Sequence, residues 1–462
     1  MTFEIAPLKK SFFAVYSLPE CKTIFKGAFS MRSLIINGGT PVSGTVTVGG
    51  NKNAVLPMIA ACLLTPDTVT MHNVPKISDV DIMLETLKHL GARVERNGND
   101  VMICCATVKK NTVPRELCSA LRTSILFAGP LAARTGGAKI YPPGGDVIGR
   151  RRLDSHFYGL RKLGIAVSNE SSPFVFEQKT KNLHGADLFL DEASVTATEH
   201  IMMTAAAAKG KTIIRNAASE PHIRQLGEML TGMGAKISGL DSNTIEIEGN
   251  TALHGTEVTV ESDHIEVASF LALAAATRCG LTIKGDFKTR DYWMTRRMFE
   301  RLGIKFKLSP GLIEIPPRQK MKIQPDFGNA IPQIADGPWP QFPSDMMSCM
   351  IVCATQAKGT VLFFEKMFES RIYFVDRLIS MGANAVVCDP HRVVITGPVK
   401  LRAVEMASPD IRAGMAMVIA AICAKGRSVI HNADTIFRGY EDICEKLTAI
   451  GVDITCVTSK IK

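Results

Sequence analysis

The sequence predicts an α/β (α+β) protein of two domains, built from one unit that is repeated six times. An apolar–glycine–apolar tripeptide recurs at intervals of roughly 70–80 residues, a period typical of a large internal repeat. Its glycines are Gly91, Gly164, Gly234, Gly303, Gly382 and Gly451. Each of them ends a helix-like stretch and precedes a strand-like run, as a C-cap glycine does.

Alanine-rich helices recur with the same period, at 60–62, 131–133, 205–208, 273–276, 349–354 and 418–421. They are apolar nearly all round, so we expect them to be buried rather than to lie on a surface. A short loop and an apolar strand follow each helix. Each unit therefore reads as strand, loop, helix, strand, strand, helix.

The domain boundaries follow from an incomplete last unit, which stops at Lys462 after one strand. The runs 33–36 and 44–48 look like its missing strands, so the N-terminal strands should complete the C-terminal domain. The expected domains are 52–262, and 31–51 together with 263–462. Residues 1–30 show no periodicity and lack the apolar stretch of a signal peptide, so we expect a disordered extension or a true start at Met31.

Composition favours an acidic partner, because the formal net charge is +10. The basic residues do not form runs with interleaved aromatics, which argues against nucleic-acid binding. No apolar run is long enough for stable membrane insertion. The twelve cysteines show no zinc or disulfide spacing and fit reduced core cysteines of a cytoplasmic protein.

One turn, residues 142–152, carries candidate chemistry. Two prolines and two glycines exclude a helix there, and Asp146 lies among them, followed by three arginines at the expected helix start. A helix N-terminus with guanidinium groups binds anions, and an acid beside it is a plausible proton donor. The alternative is a surface turn before a solvated basic helix.

Polar residues also recur at equivalent loop positions of the repeats, which predicts a shared cleft for anions. For each one alone, the alternative is helix capping or a surface salt bridge. They include Lys52, Asn53, the stretch 76–81, Arg122, Asp146, Arg151, Ser194, Glu220, Asp345, Glu369, Arg371, Asp410, Arg412 and Arg438.

Stretches along nearly the whole chain from Met31 resemble the UDP-N-acetylglucosamine 1-carboxyvinyltransferases, enolpyruvyl transferases of bacterial cell-wall synthesis. They are 51–54, 73–76, 79–81, 143–151, 216–218, 342–345, 368–371 and 438–441. The sister enzymes that act on shikimate phosphate carry Gly-Asn-Ala-Gly-Thr where Leu121-Arg122-Thr123-Ser124 stands here. Their lysine–serine pair is replaced by Lys52-Asn53.

The resemblance implies a two-domain inside-out α/β barrel of six βαβαββ units, with the helices inside. It implies transfer of enolpyruvyl from phosphoenolpyruvate to the 3′-hydroxyl of UDP-N-acetylglucosamine with release of phosphate, the first committed step of peptidoglycan precursor synthesis. Neither a metal nor an organic cofactor is expected. The alternatives are transfer to another acceptor such as shikimate phosphate, or a catalytically silent nucleotide-sugar sensor.

By resemblance, the catalytic residues are Asp146, Asp345, Lys52 and Arg438, with Asp345 accepting the sugar hydroxyl proton. For Asp345 the alternative is an N-cap of the apolar helix that follows it. The expected substrate-binding residues are Lys52, Asn53, Arg122, Arg151, Arg152, Leu153, Asp154, Ser155, Asp191, Glu192, Ala193, Ser194, Val195, Asp345, Met367, Arg371 and Arg412.

Three positions depart from the family pattern. Asp146 stands where the family usually has cysteine, and a carboxylic acid can also donate a proton. His264 stands where the family often has arginine, and Ser78 stands where it often has lysine. Both changes remove a cation, so we expect them to affect the affinity for anionic substrates more than the type of reaction. Since fosfomycin inactivates the family by alkylating the loop cysteine, the resemblance implies an enzyme that is insensitive to it.

Overall fold

The computed structural model describes residues 30–146, 148–149, 151–180, 182–249 and 252–460. The expected extension 1–30 thus lies outside the described residues except for Ser30. The strands are β1 Ser30–Gly38, β2 Gly44–Thr47, β3 Thr68–His72, β4 Arg93–Asn97, β5 Asp100–Cys104, β6 Gly137–Ile140, β7 Ile165–Ser168, β8 Phe174–Gln178, β9 Asp187–Phe189, β10 Lys211–Arg215, β11 Lys236–Ser238, β12 Thr244–Glu248, β13 Glu257–Thr259, β14 Leu281–Lys284, β15 Lys307–Ser309, β16 Leu312–Ile315, β17 Gln333–Ala335, β18 Gly359–Phe364, β19 Asn384–Asp389, β20 Arg392–Gly397, β21 Glu405–Ala407, β22 Gly426–His431 and β23 Asp453–Lys460.

The α-helices are α1 Lys52–Ala61, α2 Ser78–Leu90, α3 Arg115–Ala120, α4 Ala128–Thr135, α5 Asp154–Lys162, α6 Val195–Ala206, α7 Pro221–Gly232, α8 His264–Thr277, α9 Trp293–Arg301, α10 Ser344–Gln356, α11 Val375–Ser380, α12 Ile411–Cys423, α13 Asp434–Phe437 and α14 Ile443–Ala449. No helix among the described residues is both long and apolar enough to cross a lipid bilayer.

The repeat appears as six small sheets among the described residues, of which five have four strands in equivalent order and one, β6-β8-β7, has three. In the third unit the order is β9, α6, β10, α7, β11, β12, and the sheet order is β11-β12-β10-β9 with β9 parallel to β10. One strand, and not two as the sequence suggested, separates the alanine-rich helix from the second helix. The six repeat glycines all have positive φ, from +76° to +109°, which explains why glycine is needed there.

The alanine-rich helices lie inside the sheets. In α8 every residue from His264 to Ala276 is buried, and α1, α6, α10 and α12 are buried along most of their length. Because these helices are apolar all round, burial on every side is the arrangement that removes most of their apolar surface from water.

Two separate hydrophobic cores result. One contains residues between 54 and 260, and the other contains residues 34–48 and 265–452. Strand β1 pairs with β22 and β23, and β2 pairs with β14, so the N-terminal strands lie on the second core. We propose that the two cores are two domains with the boundaries predicted from the sequence, and that the chain passes between them twice.

Candidate active site

A cavity of about 570 Å³ lies between the two cores. Its wall includes the first residues of α1, α6, α8, α10 and α12, the buried helix of five of the six units. The N-terminus of a helix carries unpaired backbone N–H groups and partial positive charge. Five such ends around one cavity therefore favour an anionic ligand.

Most of the site residues predicted from the sequence line this cavity. They are Lys52, Asn53, Arg122, Asp146, Arg151, Arg152, Glu192, Ala193, Ser194, Val195, Asp345, Met367, Arg371, Arg412 and Arg438.

Leu153, Asp154, Ser155 and Asp191 lie outside the cavity wall. Helix α5 begins at Asp154, later than expected, so Arg151 and Arg152 belong to the preceding loop and not to the helix start. Asp154 instead pairs with exposed Arg152, with Nε 2.7 Å from Oδ2. Ser155 is buried in α5, and Asp191 is exposed to solvent.

A chain of ion pairs crosses the cavity. Lys52 Nζ lies 2.7 Å from Oδ2 of Asp79, and Arg438 Nε lies 2.9 Å from the other oxygen of that carboxylate. Arg438 also donates from Nη1 to Oδ1 of Asp146, at 2.5 Å. Burial would raise the pKa of Asp79, but Lys52 and Arg438 together hold it below its usual range. Asp79 is thus an ionised carboxylate that positions both cations.

Asp345 occupies the first turn of α10 between two buried arginines. Its carboxylate lies 3.0 Å from Nη2 of Arg371 and 2.9 Å from Nε of Arg412. Although burial alone would raise the pKa of Asp345, Arg412 and Arg371 hold it well below its usual range. The N-cap of α10 is Pro343, so the capping alternative for Asp345 is not observed.

Two further cations stand close together on another part of the wall. Arg122 donates from Nη2 to the carbonyl oxygens of Arg151 and Arg152, at 2.8 and 3.1 Å, and so fixes the loop before α5. Burial and the charge of Arg151 lower the pKa of Arg122 to about 10. A bound anion would relieve this repulsion between like charges.

The remaining end of the cavity is nearly neutral, and of its residues the sequence had singled out only Glu220 and His264. Burial raises the pKa of Glu220 to about 7 and that of Glu199 well above its usual range, so both carry protons readily. Burial also lowers the pKa of His222 to about 3. His264 stacks on this ring with a centroid distance of 6.1 Å, so an uncharged imidazole pair stands where the family often carries arginine.

The sequence placed Asp79 only within the polar loop stretch 76–81, without a role in the site, but it lines the cavity. Glu199, His222 and Trp339 also line the cavity, and no motif in the sequence marked them. Within the described ranges, no group of three or more histidine, cysteine, aspartate or glutamate side chains is placed to hold a metal ion.

Comparison with known proteins identifies the family. The family model described as EPSP synthase (3-phosphoshikimate 1-carboxyvinyltransferase) matches residues 36–447. The chain belongs to this enolpyruvyl transferase family. This chain is 51% identical to the UDP-N-acetylglucosamine 1-carboxyvinyltransferase of Treponema denticola, over 92% of this chain and 99% of that protein. It is 49% identical to the protein of the same name from Bradyrhizobium diazoefficiens, over 92% and 98% of the two chains.

Solved structures share the fold at low sequence identity. The enolpyruvyl transferase NikO from Streptomyces tendae superposes with a TM-score of 0.83 at 20% identity, covering 93% of this chain and all of that one. An EPSP synthase from Acinetobacter baumannii gives 0.71 at 18% identity, covering 92% and 100%. These likenesses confirm the predicted two-domain α/β fold.

Proposed function

We propose that the protein transfers the enolpyruvyl group of phosphoenolpyruvate to the 3′-hydroxyl of UDP-N-acetylglucosamine and releases phosphate. The observation that carries the proposal is Asp345, an ionised carboxylate held between Arg371 and Arg412 in a cavity lined with cations. The 51% identity to a protein named for this reaction supports it. The product is a precursor of peptidoglycan, and we place the reaction in the cytoplasm.

The cations suit the donor substrate. Phosphoenolpyruvate carries a phosphate and a carboxylate, and its reaction passes through an oxocarbenium-like centre with charge developing on the phosphate. Preplaced cations in a site shielded from water stabilise such charge more than water does. The candidates are Lys52, Arg122, Arg151, Arg371, Arg412 and Arg438, and Asn53 contacts the substrate beside Lys52.

Asp345 accepts the proton of the 3′-hydroxyl as that oxygen bonds to C2 of phosphoenolpyruvate. In the structure described here its pKa is low, because Arg412 and Arg371 stabilise the charged form. An anion that binds these arginines shares their charge and raises the pKa of Asp345 towards its ordinary range. Binding of phosphoenolpyruvate thereby makes Asp345 a better base, so that proton transfer is linked to occupancy of the donor site.

Asp146 in its carboxylic acid form donates a proton to the methylene carbon in the addition step. The C2–O bond to phosphate then breaks, and the carboxylate of Asp146 takes a proton back from the new methyl group, which restores the methylene. Arg438 contacts both Asp146 and Asp79, so it lies where the proton donor and the cation network meet.

The alternatives are less well supported. A silent sensor would not need Lys52, Asp345 and Arg438 around one cavity. An acceptor such as shikimate phosphate is not favoured, because the proteins named EPSP synthase match at 18% identity and the UDP-N-acetylglucosamine enzymes at 45–51%.

Phosphate release from phosphoenolpyruvate tests the proposal, with UDP-N-acetylglucosamine, shikimate phosphate or no acceptor. We expect release with UDP-N-acetylglucosamine alone. Release with shikimate phosphate instead would establish the other acceptor. Binding of UDP-N-acetylglucosamine without any release would establish the sensor.

A further inference from the structure

A row of three hydrogen bonds runs from a buried backbone amide to the cavity wall. The N–H of Gly129 lies 2.7 Å from Nε2 of His200. His200 Nδ1 lies 3.0 Å from Nδ1 of His156, and Nε2 of His156 lies 3.1 Å from Oγ1 of Thr196. Both imidazoles are fully buried, whereas Thr196 is half-buried and lines the cavity.

The direction of every bond in this row follows from its first member. A backbone N–H can only donate, so Nε2 of His200 is an acceptor and carries no proton. The proton of neutral His200 is then on Nδ1, which donates to Nδ1 of His156. The proton of His156 is in turn on Nε2, which donates to Oγ1 of Thr196.

Both imidazoles are neutral, as this assignment requires. Burial lowers the pKa of His200 to about 3. Burial also lowers the pKa of His156 well below its usual range, and His200, Arg122 and Arg151 lower it further. At neutral pH each hydrogen bond of the row therefore keeps the same donor and the same acceptor.

The consequence concerns the hydroxyl hydrogen of Thr196. His156 occupies one lone pair of Oγ1 and is the one hydrogen-bond partner of that oxygen among the described residues. The hydroxyl hydrogen therefore has no acceptor in the described protein, although its oxygen is fixed at the wall of a cavity. A donor oriented in this way suits an acceptor oxygen of a ligand.

We infer that Thr196 is a further substrate-binding residue, whose hydroxyl donates to a phosphate oxygen of the nucleotide sugar, and that His156 and His200 are its positioning residues. This rests on the proposed function. Phosphoenolpyruvate offers phosphate oxygens too, and Arg122 and Arg151, the cations that act on His156, could serve either substrate. Thr196 directly follows Ser194 and Val195, which by resemblance bind the nucleotide sugar, and this favours the diphosphate.

Dissociation constants of Thr196→Val and Thr196→Ser test the inference. Valine keeps the shape and removes the hydroxyl, so we expect binding of UDP and of UDP-N-acetylglucosamine to weaken by about tenfold or more. Serine should restore it to within about twofold. Binding of uridine and the KM for phosphoenolpyruvate should not change. Thr123→Val is the matched control, because Thr123 lines the same cavity but its hydroxyl faces Sδ of Met83.

The positioning role has its own readout. His156→Asn should weaken UDP binding in the wild type but add little in Thr196→Val, since both changes remove the same donor. Additive losses would show that His156 acts only on the structure.

Three other results would refute either the proposed function or the inference about Thr196. Failure of the wild type to bind UDP-N-acetylglucosamine would refute the proposed function itself. Normal binding by the wild type with equally tight binding by Thr196→Val would overturn the inference, provided that both proteins melt at the same temperature. A raised KM for phosphoenolpyruvate alone would also overturn it, by assigning the donor to the other phosphate.

Discussion

Arg438 and Asp146 form an ion pair across the cavity, with Nη1 2.5 Å from Oδ1. Their chain segments belong to different hydrophobic cores, so the contact holds the loop of Asp146 against the other half of the molecule. Two backbone N–H groups strengthen this junction. Ser370 donates to the carbonyl of Ile148, and Lys76 donates to the carboxylate of Glu441. The proposed proton donor is therefore in place only when the two halves are together.

Substrate binding should bring the two halves of the molecule closer together. Lys52, Arg122 and Arg151 come from one half of the molecule and Arg371, Arg412 and Arg438 from the other, so anionic substrates should draw the halves together. We expect small-angle scattering to show a smaller radius of gyration with both substrates than without them. An unchanged radius would contradict this expectation.

Removal of the Arg438 side chain should weaken the association of the two halves. Arg438→Ala loses the pairs with Asp79 and Asp146, so we expect a smaller ligand-induced compaction and a steep loss of turnover. Arg427→Ala is the control, because Arg427 is an exposed arginine of β22. Equal compaction in both variants would show that the Arg438 pairs do not hold the halves together.

Asp345 should be required for turnover but not for binding of the UDP-sugar. Asp345→Ala should abolish turnover, and Asp345→Asn should lower it by about 10²–10⁴-fold, the usual contribution of a general base. The asparagine variant is the cleaner test, because alanine leaves Arg371 and Arg412 without a partner between them. Steady-state kinetics and calorimetric titration with UDP-N-acetylglucosamine measure the two effects. Near wild-type turnover in Asp345→Asn would exclude it as the base.

The sequence predicted the sixfold repeat and the buried helices more accurately than it predicted the order of the strands within a unit. The repeat glycines must adopt positive φ and the inner helices must be apolar all round, so both leave regular marks in the sequence. The position of the strands within a unit was less clear. Strands such as β9 and β21 are three residues long, too short to show an alternating pattern.

Some residues of the candidate site could likewise be predicted from the sequence, and others could not. Cations at recurrent loop positions could be found, because the repeat brings equivalent loops to one cavity. The role of Asp79 depends on Arg438, which lies 359 residues away in sequence. The row from His200 to Thr196 depends on the packing of α5 against α6. Pairings of this kind carry no local pattern, and therefore only the structure reveals them.

Stability should fall as the pH rises from about 4.3 to about 8, partly through Glu365. Burial and the adjacent Asp336 carboxyl raise the pKa of Glu365. The folded protein then holds a proton that the unfolded chain loses above its pKa of about 4.3. The contribution of Glu365 to stability is therefore greatest below that pH. It declines above that pH, by up to about 1.4 kcal/mol per pH unit, until the folded group also ionises near pH 8.

Glu365→Gln tests this pH dependence. The amide can still accept from the N–H of Phe368 and donate to Asp336, so the turn before residue 369 should keep its shape. We expect the denaturant-measured stability of the variant to fall less steeply between pH 5 and 8 than that of the wild type. Glu199, Glu220 and Glu266 are also buried with raised pKa values, so some slope should remain. Identical slopes in both proteins would refute the role of Glu365.

Fosfomycin should not inactivate this enzyme covalently. By resemblance, the drug alkylates a loop cysteine, and a thiolate is a far better nucleophile towards an epoxide than the carboxylate of Asp146. Asp146 is moreover paired with Arg438, and this contact makes it a weaker nucleophile still. Cys118 is the cysteine nearest in sequence to this loop, but it is buried, and burial raises its pKa to about 11. It is therefore a thiol at neutral pH and a poor nucleophile.

Three proteins decide this last prediction. The unmodified enzyme should stay active after treatment and show no mass increase, whereas Asp146→Cys should show time-dependent inactivation and a stoichiometric adduct. The cysteine variant should keep some turnover, because a thiol can also deliver a proton. Asp146→Asn has nearly the same shape but cannot act as an acid, so its turnover should fall steeply. A stoichiometric adduct on the unmodified enzyme in intact-mass spectrometry would contradict this interpretation of the loop.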